Sequence, residues 1–322
     1  MSNNRSVYVH ADWPEALWDV SGAFVNDREL VSFYDYCKLR LGFTPFSLVH
    51  GSPLFGWNSG RVLKQLIRDA AEVRELSMAY VQRKIAIDLT FSNLYLTQEN
   101  VRDKVGNTLL EFFRRNNPTG QNAVIMASDT LYEHVKTNFP ELKTVSSILK
   151  VAHERGRGKP DYYRRLAEKY DKVMIHPDDS INCGLLEKLG DKSKYELIVN
   201  EYCVRSCPIR HLHYDSLSKT ALDFFSFDSS DFDKKLAKNG CSSMSTLLGS
   251  PDHGVMALKR SEIKTLYDMG FRRFKLQGRG HPNAALILFD LLRLVLREDE
   301  PGENAMQAVK TLFWEMLLPG DA

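Results

Sequence analysis

The chain has little of what usually marks a protein's class. Five cysteines in 322 residues are too few for a disulfide scaffold and odd in number, so a reducing compartment is expected, with thiols left for chemistry. Its 43 Lys and Arg stand against 41 Asp and Glu, a formal charge of +2, which gives no argument for nucleic acid or anionic membrane as an obligate partner. No run approaches the roughly 18 apolar residues of a membrane span, and the N-terminal M-S-N-N-R-S-V-Y-V-H has no apolar signal core. A soluble, cytoplasmic protein without a membrane span is the expectation. Also missing are a G-x-G-x-x-G or G-x-x-x-x-G-K-[ST] after any apolar run, a G-x-S-x-G, an H-E-x-x-H and a spaced carboxylate pair. Their absence leaves nucleotide binding in an open sheet, triad hydrolysis and zincin-type proteolysis without support.

What is present is a composition of 43% hydrophobic and 26% charged residues, ordinary for a chain that buries a large core. From Phe46 onward, short apolar and β-branched runs alternate with longer segments of helical period. Candidate strands are Phe46 to His50, Ile85 to Thr90, Ala123 to Ala127, Thr144 to Ile148, Lys172 to His176, Tyr195 to Val199, Val255 to Leu258 and Phe271 to Leu276. Helices are predicted over Arg61 to Arg83, Glu99 to Arg115, Asp129 to Asn138, Tyr162 to Tyr170, Leu185 to Leu189, Arg260 to Met269 and Ala284 to Leu296, with starts marked by Thr97, Ser128 and Ser261. Strands alternating with helices pair in parallel, because a parallel pair needs a crossover. Eight such units over roughly 250 residues predict a closed (β/α)8 TIM-like barrel; an open doubly wound sheet is the competitor. Residues 1–45, with a helix from Asp27 to Leu41, form an N-terminal extension capping a barrel domain of residues 46–322. A long insertion, Asp215 to Pro251, separates strands six and seven, and an amphipathic helix over Ala305 to Leu318 packs on the barrel.

The densest chemistry is N-E-Y-C-V-R-S-C-P-I-R-H-L-H-Y, Asn200 to Tyr214, directly after the sixth candidate strand. In a barrel, the loops following the strands converge over one mouth. Cys203 and Cys207 can bind one centre if their loop turns, and Pro208 stops a helix from running through it. Thiolates ligate iron-sulfur clusters and zinc, and Arg205 and Arg210 would favour the thiolate; two incidental thiols are the plain alternative. Cys241 in the insertion and Cys183 after the fifth strand are further candidate ligands. Cys37, on an apolar helical face, is either a small buried side chain or a ligand. His211 and His213 stand two apart and share a face only on an extended segment. His213, beside Tyr214 and Asp215, is the better candidate for acid/base work or ligation, ahead of His176 and His50 at strand ends.

An Asn-terminated strand followed by C-x-x-x-C-P-x-R-x-x-H, with a later Phe274-Lys-Leu-Gln-Gly-Arg279 preceded by Met269-Gly270, resembles the collagenase-like peptidase family of unassigned mechanism, peptidase family U32. In that family the later element reads K-I-E-G-R, and here Gln277 replaces the acid. The resemblance covers roughly Lys84 to Arg279. It implies a barrel and, as in the family's branches for anaerobic ubiquinone-precursor and tRNA hydroxylation, a [4Fe-4S] cluster. Cys203 and Cys207 would be its ligands, with Cys241 third and Cys183 or Cys37 fourth, or an iron left open. The activity so implied is oxygen-independent hydroxylation, or a related modification, of a small or tethered substrate. Arg210, His213, His176, Lys275 and Arg279 would serve catalysis and hold anionic groups, and a protein partner or electron donor is implied. A metal-dependent hydrolase in the same pocket, with zinc in place of the cluster, and a non-catalytic cluster-binding partner protein are the alternatives.

Overall fold

The computed structural model describes residues 9–53, 55–59, 68–201, 203, 205–208, 210–222, 257–277, 290–291 and 293–296. Eight parallel strands close a barrel in chain order: β1 (Leu17–Ser21), β2 (Leu48–Gly51), β3 (Ala86–Phe91), β4 (Ala123–Met126), β5 (Lys143–Ser146), β6 (Lys172–Ile175), β7 (Tyr195–Ile198) and β8 (Arg273–Leu276). The ring closes where β8 pairs with β1, Trp18 opposite Phe274. Helices in the described residues are α1 (Asp27–Tyr36), α2 (Ala70–Gln82), α3 (Lys104–Arg115), α4 (Asp129–Asn138), α5 (Ile148–His153), α6 (Pro160–Lys169), α7 (Cys183–Glu187), α8 (Arg210–Leu222) and α9 (Arg260–Asp268).

The (β/α)8 barrel expected from the alternation of strands and helices is therefore present, with a corrected strand order. Leu17–Ser21, inside the stretch expected to be an N-terminal cap, is the first barrel strand. Asp19 interrupts that short apolar run, which disguises it: Trp18 and Val20 face outward into the core while Asp19 turns into the lumen. Of the expected strand Val255 to Leu258, only Ala257 and Leu258 are described; they are not strand, although the Leu258 amide donates to the Val199 carbonyl at 2.7 Å. The cysteine motif consequently follows β7, not a sixth strand, and the insertion lies between β7 and β8. α8, a helix the sequence periodicity does not announce, begins in the motif at Arg210 and runs into the insertion as far as Leu222.

Local chemistry explains most helix boundaries. Asp69 caps α2 by accepting from the amides of Ala71 and Glu72, and Glu72 returns the bond to Asp69, so the described helix starts there. The stretch Glu99 to Arg115 breaks into a 3-10 turn, Asn100–Arg102, and α3, because Asp103 leaves helical geometry to cap the amide of Gly106. Ser128 caps α4 as expected. Ser261 lies within α9, and the amide of the preceding Lys259 donates to Glu262 Oε2 at 2.7 Å. Two cores result. Outward strand residues such as Val20, Leu89, Val124, Ile175 and Leu197 join the helices in one large apolar cluster, while Ala123, Ile125, Val145, Met174 and Ile198 form a separate one inside the barrel. Among the described residues no helix is long and apolar enough to cross a membrane.

Candidate functional site

The inner apolar cluster fills only the side of the lumen lined by β4 to β7. The remainder is charged. Lys172 at the start of β6 reaches Asp88 Oδ2 on β3 at 2.7 Å, and His50 Nε2 on β2 lies 3.0 Å from Glu196 Oε1 on β7. Neither pair of strands is adjacent, so both contacts cross the barrel interior. Arg273 Nη1 donates to both Asp19 oxygens at 2.8 Å, and His50 Nδ1 stands 3.8 Å from Asp88 Oδ2. Asp19, His50, Asp88 and Glu196 are at most 1% exposed. Burial raises the Asp19 pKa against the opposing pull of Arg273. Burial, then the Lys275 charge, pushes His50 well below its ordinary range, which keeps it neutral. For Lys172 burial works toward deprotonation, but Asp88, Asp19 and Glu196 outweigh it and the ammonium is held.

Above this charged layer lies a cavity of about 130 Å³ at the end of the barrel where the strands terminate. His50 and Lys275 reach it from the lumen, with Ser21, Thr90, Met174 and Ile198; Glu201, Cys203, Arg210, His213 and Tyr214 form its outer wall. Two asparagines hold this wall in place. Asn200, the first residue of the motif, donates to the Gln277 carbonyl at 2.9 Å and to Asp290 at 2.7 Å, and accepts from the Gln277 amide at 2.6 Å, locking the ends of β7 and β8 together. Asn93 after β3 donates to the carbonyl of Ser218 at 2.8 Å and so anchors α8 across the mouth.

The Cys203 to Cys207 turn is strapped to the loop after β6. Ser206 adopts a left-handed φ of 54°, unfavourable for a side chain other than glycine, and its amide donates to Asp178 Oδ1 at 2.7 Å. Asp178 also takes Arg157 at 2.6 Å, and Arg205 donates to the Pro177 carbonyl at 3.3 Å. Buried Arg210, 4.0 Å from Asp178, stays protonated: burial opposes its charge, while Tyr214 and Cys203 favour it. The motif is thus a loop with a conformation imposed from β6, presenting Cys203 beside a guanidinium.

Because α8 is helical, His211 and His213 point to different places. His213 lines the mouth cavity, whereas His211 lines an outer cleft of about 730 Å³ with Arg155, Arg157, Asp178 and Asp215. Tyr214 borders both. Cys203, Arg210, His213 and Lys275 border the same cavity. Cys207 is half-buried on the turn but does not border the cavity, and exposed Cys183, at the start of α7, borders neither cavity. Cys37 is fully buried behind α1, and burial pushes its thiol pKa up, so it stays a protonated core side chain. His176 is buried outside both cavities, its Nδ1 accepting the Asp178 amide at 3.2 Å; burial, then Arg210, pushes its pKa down to about 3. Cys241, Arg279 and the Ala305 to Leu318 segment lie outside the described residues. Asp19, Asp88 and Glu196 escape a search for motifs. Their only signal is a single carboxylate flanked by apolar residues within a strand, as in Trp18-Asp19-Val20 and Tyr195-Glu196-Leu197.

Among the described residues, one group of His, Cys, Asp and Glu side chains is close enough to hold a single metal ion, and it is Asp19, His50 and Glu196; the cysteines do not form one. No family model matches the chain, and no curated protein matches it. A solved structure of the U32 peptidase Mk0906 superposes with a TM-score of 0.52 at 11% sequence identity, over 83% of this chain and 94% of that one. At that identity the likeness is one of fold alone.

Proposed function

We propose that the mouth of the barrel is the active site of an enzyme acting on a small, polar, anion-bearing substrate or on the reactive end of a tethered one, with a redox step served by an iron-sulfur cluster that Cys203 and Cys207 anchor. One observation carries the reading: the side chains that the motif supplies (Cys203, Arg210, His213) and those that the barrel supplies (His50, Lys275) border a single cavity. Lys275 and Arg210 offer two cationic donors to a carboxylate or phosphate. His213 stands where it can accept or return a proton. Glu201 holds the Cys203 amide at 3.2 Å and so orients the thiol-bearing residue.

The fit of the cluster is supported by two thiols on one tight turn, with Arg210 close to Cys203 to offset thiolate charge. Cys241 or Cys183 would supply further ligands, or one iron would be left open. When bound, the group supplies one-electron chemistry. The chain's own part is to hold the anion, exclude bulk water and move a proton at His213. Anaerobic purification should give a coloured protein containing iron and acid-labile sulfide, lost in Cys203→Ala. A colourless protein free of iron would sink the redox reading. Hydrolysis is the second reading, favoured by the description of Mk0906 as a peptidase; zinc without sulfide in the purified protein, lost in Cys203→Ala, would support it.

A further inference from the structure

The charged lumen has an imbalance that its ion pairs do not resolve. Lys172 is engaged by Asp88, and Arg273 by Asp19. Glu196, with no solvent exposure, has neither carboxylate oxygen hydrogen-bonded, and both ring nitrogens of His50 are likewise without a hydrogen bond among the described residues. The 3.0 Å approach of His50 Nε2 to Glu196 Oε1 has the distance of a hydrogen bond without its geometry. Asp88 Oδ1 is also unpaired. Among the described residues, five buried atoms of Glu196, His50 and Asp88 thus have no hydrogen bond, although the Lys275 ammonium also bears on His50. A buried carboxylate without a donor is costly, and an electrophile at the centre of this group would relieve that cost.

We propose that Asp19, His50 and Glu196 hold a divalent transition-metal ion of the zinc or manganese class inside the barrel, directly beneath the mouth cavity. Their ligand atoms lie within 4.8 Å of one another. An ion bound at about 2.0–2.2 Å needs donors no further apart than roughly 4.2–4.4 Å, a closure of a few tenths of an ångström. One imidazole with two carboxylates suits that class of cation better than calcium or magnesium, which prefer oxygen alone. Arg273 is a ready outer partner, since its bonds to Asp19 leave each oxygen a lone pair and orient the carboxylate. His50 also borders the cavity, so the ion's influence would reach the mouth through that side chain. Lys275, Arg273 and Lys172 oppose a dication at this position, while Asp19, Glu196 and Asp88 attract it.

The test uses the full chain, stripped with chelator and titrated with Zn²⁺, Mn²⁺ and Co²⁺ by calorimetry and absorption, in the parent and in Glu196→Gln, His50→Gln and a Cys203→Ala/Cys207→Ala double variant. The double variant should bind one ion per chain, and the parent should hold that same ion with equal affinity, any further ion in the parent belonging to the mouth thiols. Co²⁺ in the double variant should show d–d bands without a sulfur-to-cobalt charge-transfer band. Glu196→Gln and His50→Gln should each weaken binding by at least roughly 100-fold, the upper end of what loss of an outer partner costs. Circular dichroism in chelator confirms that the variants fold; should Glu196→Gln fail, His50→Gln decides. Loss of all binding in the cysteine double variant, or parent-like binding in the two lumen variants, overturns the proposal. Because the double variant removes the mouth thiols, failure of the iron-sulfur reading would leave this result unaffected.

Discussion

Acid should loosen the cysteine turn through a residue that does not touch the mouth cavity. His176 is wholly buried, with Nδ1 accepting the Asp178 amide and Nε2 without a partner among the described residues. Burial is the main cause of its lowered pKa, the Arg210 charge adds to it and Asp178 opposes it, and the value falls from 6.5 to about 3. Folding therefore excludes a proton that the unfolded chain accepts, so between pH 6.5 and 3 the unfolded state binds more protons and stability falls as pH falls. Above pH 6.5 the effect vanishes. At about 1.4 kcal/mol per pH unit, acidification to pH 5 costs about 2 kcal/mol through this side chain. The comparison is His176→Asn, whose Oδ1 can keep the bond to the Asp178 amide. Urea denaturation of both proteins from pH 8 to pH 4.5 isolates the effect, because His50 and the carboxylates titrate alike in each and cancel in the difference. Whatever its stability at pH 8, the variant's stability should fall less steeply with acid, and the gap between the two proteins should shift by about 2 kcal/mol by pH 5. Parallel curves would refute the reasoning.

Asp178→Ala removes the acceptor that holds Ser206 in its left-handed conformation and should cost about 1–3 kcal/mol, with thiol titration showing Cys203 and Cys207 reacting several-fold faster; Asp178→Asn, which keeps an acceptor, should change both less. Gly106→Ala places a Cβ 2.5 Å from the buried Trp57 ring and should lose about 1–2 kcal/mol in a urea melt, since overpacking exceeds the gain in helix propensity; Gly190→Ala, with nothing within 4 Å, should be near neutral. Lys172→Met strands the Asp88 carboxylate and should cost about 3–5 kcal/mol. Adding Asp88→Leu should recover part of that loss, and thermal melts of the single and double variants would show no recovery if the pair were incidental.

Much of the fold is legible in the chain because parallel strands buried on both faces are short apolar runs, and seven of the eight, from β2 at Leu48–Gly51 to β8 at Arg273–Leu276, read that way. β1 does not, since beyond Asp19 it keeps only Val20 before Ser21-Gly22, whereas Asp88 and Glu196 are followed by Leu89-Thr90-Phe91 and Leu197-Ile198-Val199. α8 is hidden for a related reason: it lies across the mouth, touching cavity on two sides, so its polar residues follow no single stripe. That same placement separates His211 from His213, which residue spacing alone leaves undecided. Cys203, Arg210 and His213 stand out in the sequence by their density after a strand, but the same reading also picks Cys183, Cys207 and His176, which border neither cavity.

The amino-acid order by itself determined the alternation of strand and helix, the closed parallel barrel that follows from it, and the position of a cysteine-rich loop at the barrel's mouth. These are local properties, set by periodicity and by residue type. The tertiary structure alone decided which side chains meet. Asp19, His50, Asp88, Lys172, Glu196 and Arg273 come from six strands far apart in the chain, and only ring closure points them at one another. The Ser206 conformation and the neutrality of His176 were likewise decided there, because burial and distant charge, not neighbours in sequence, set the energy of a polar group.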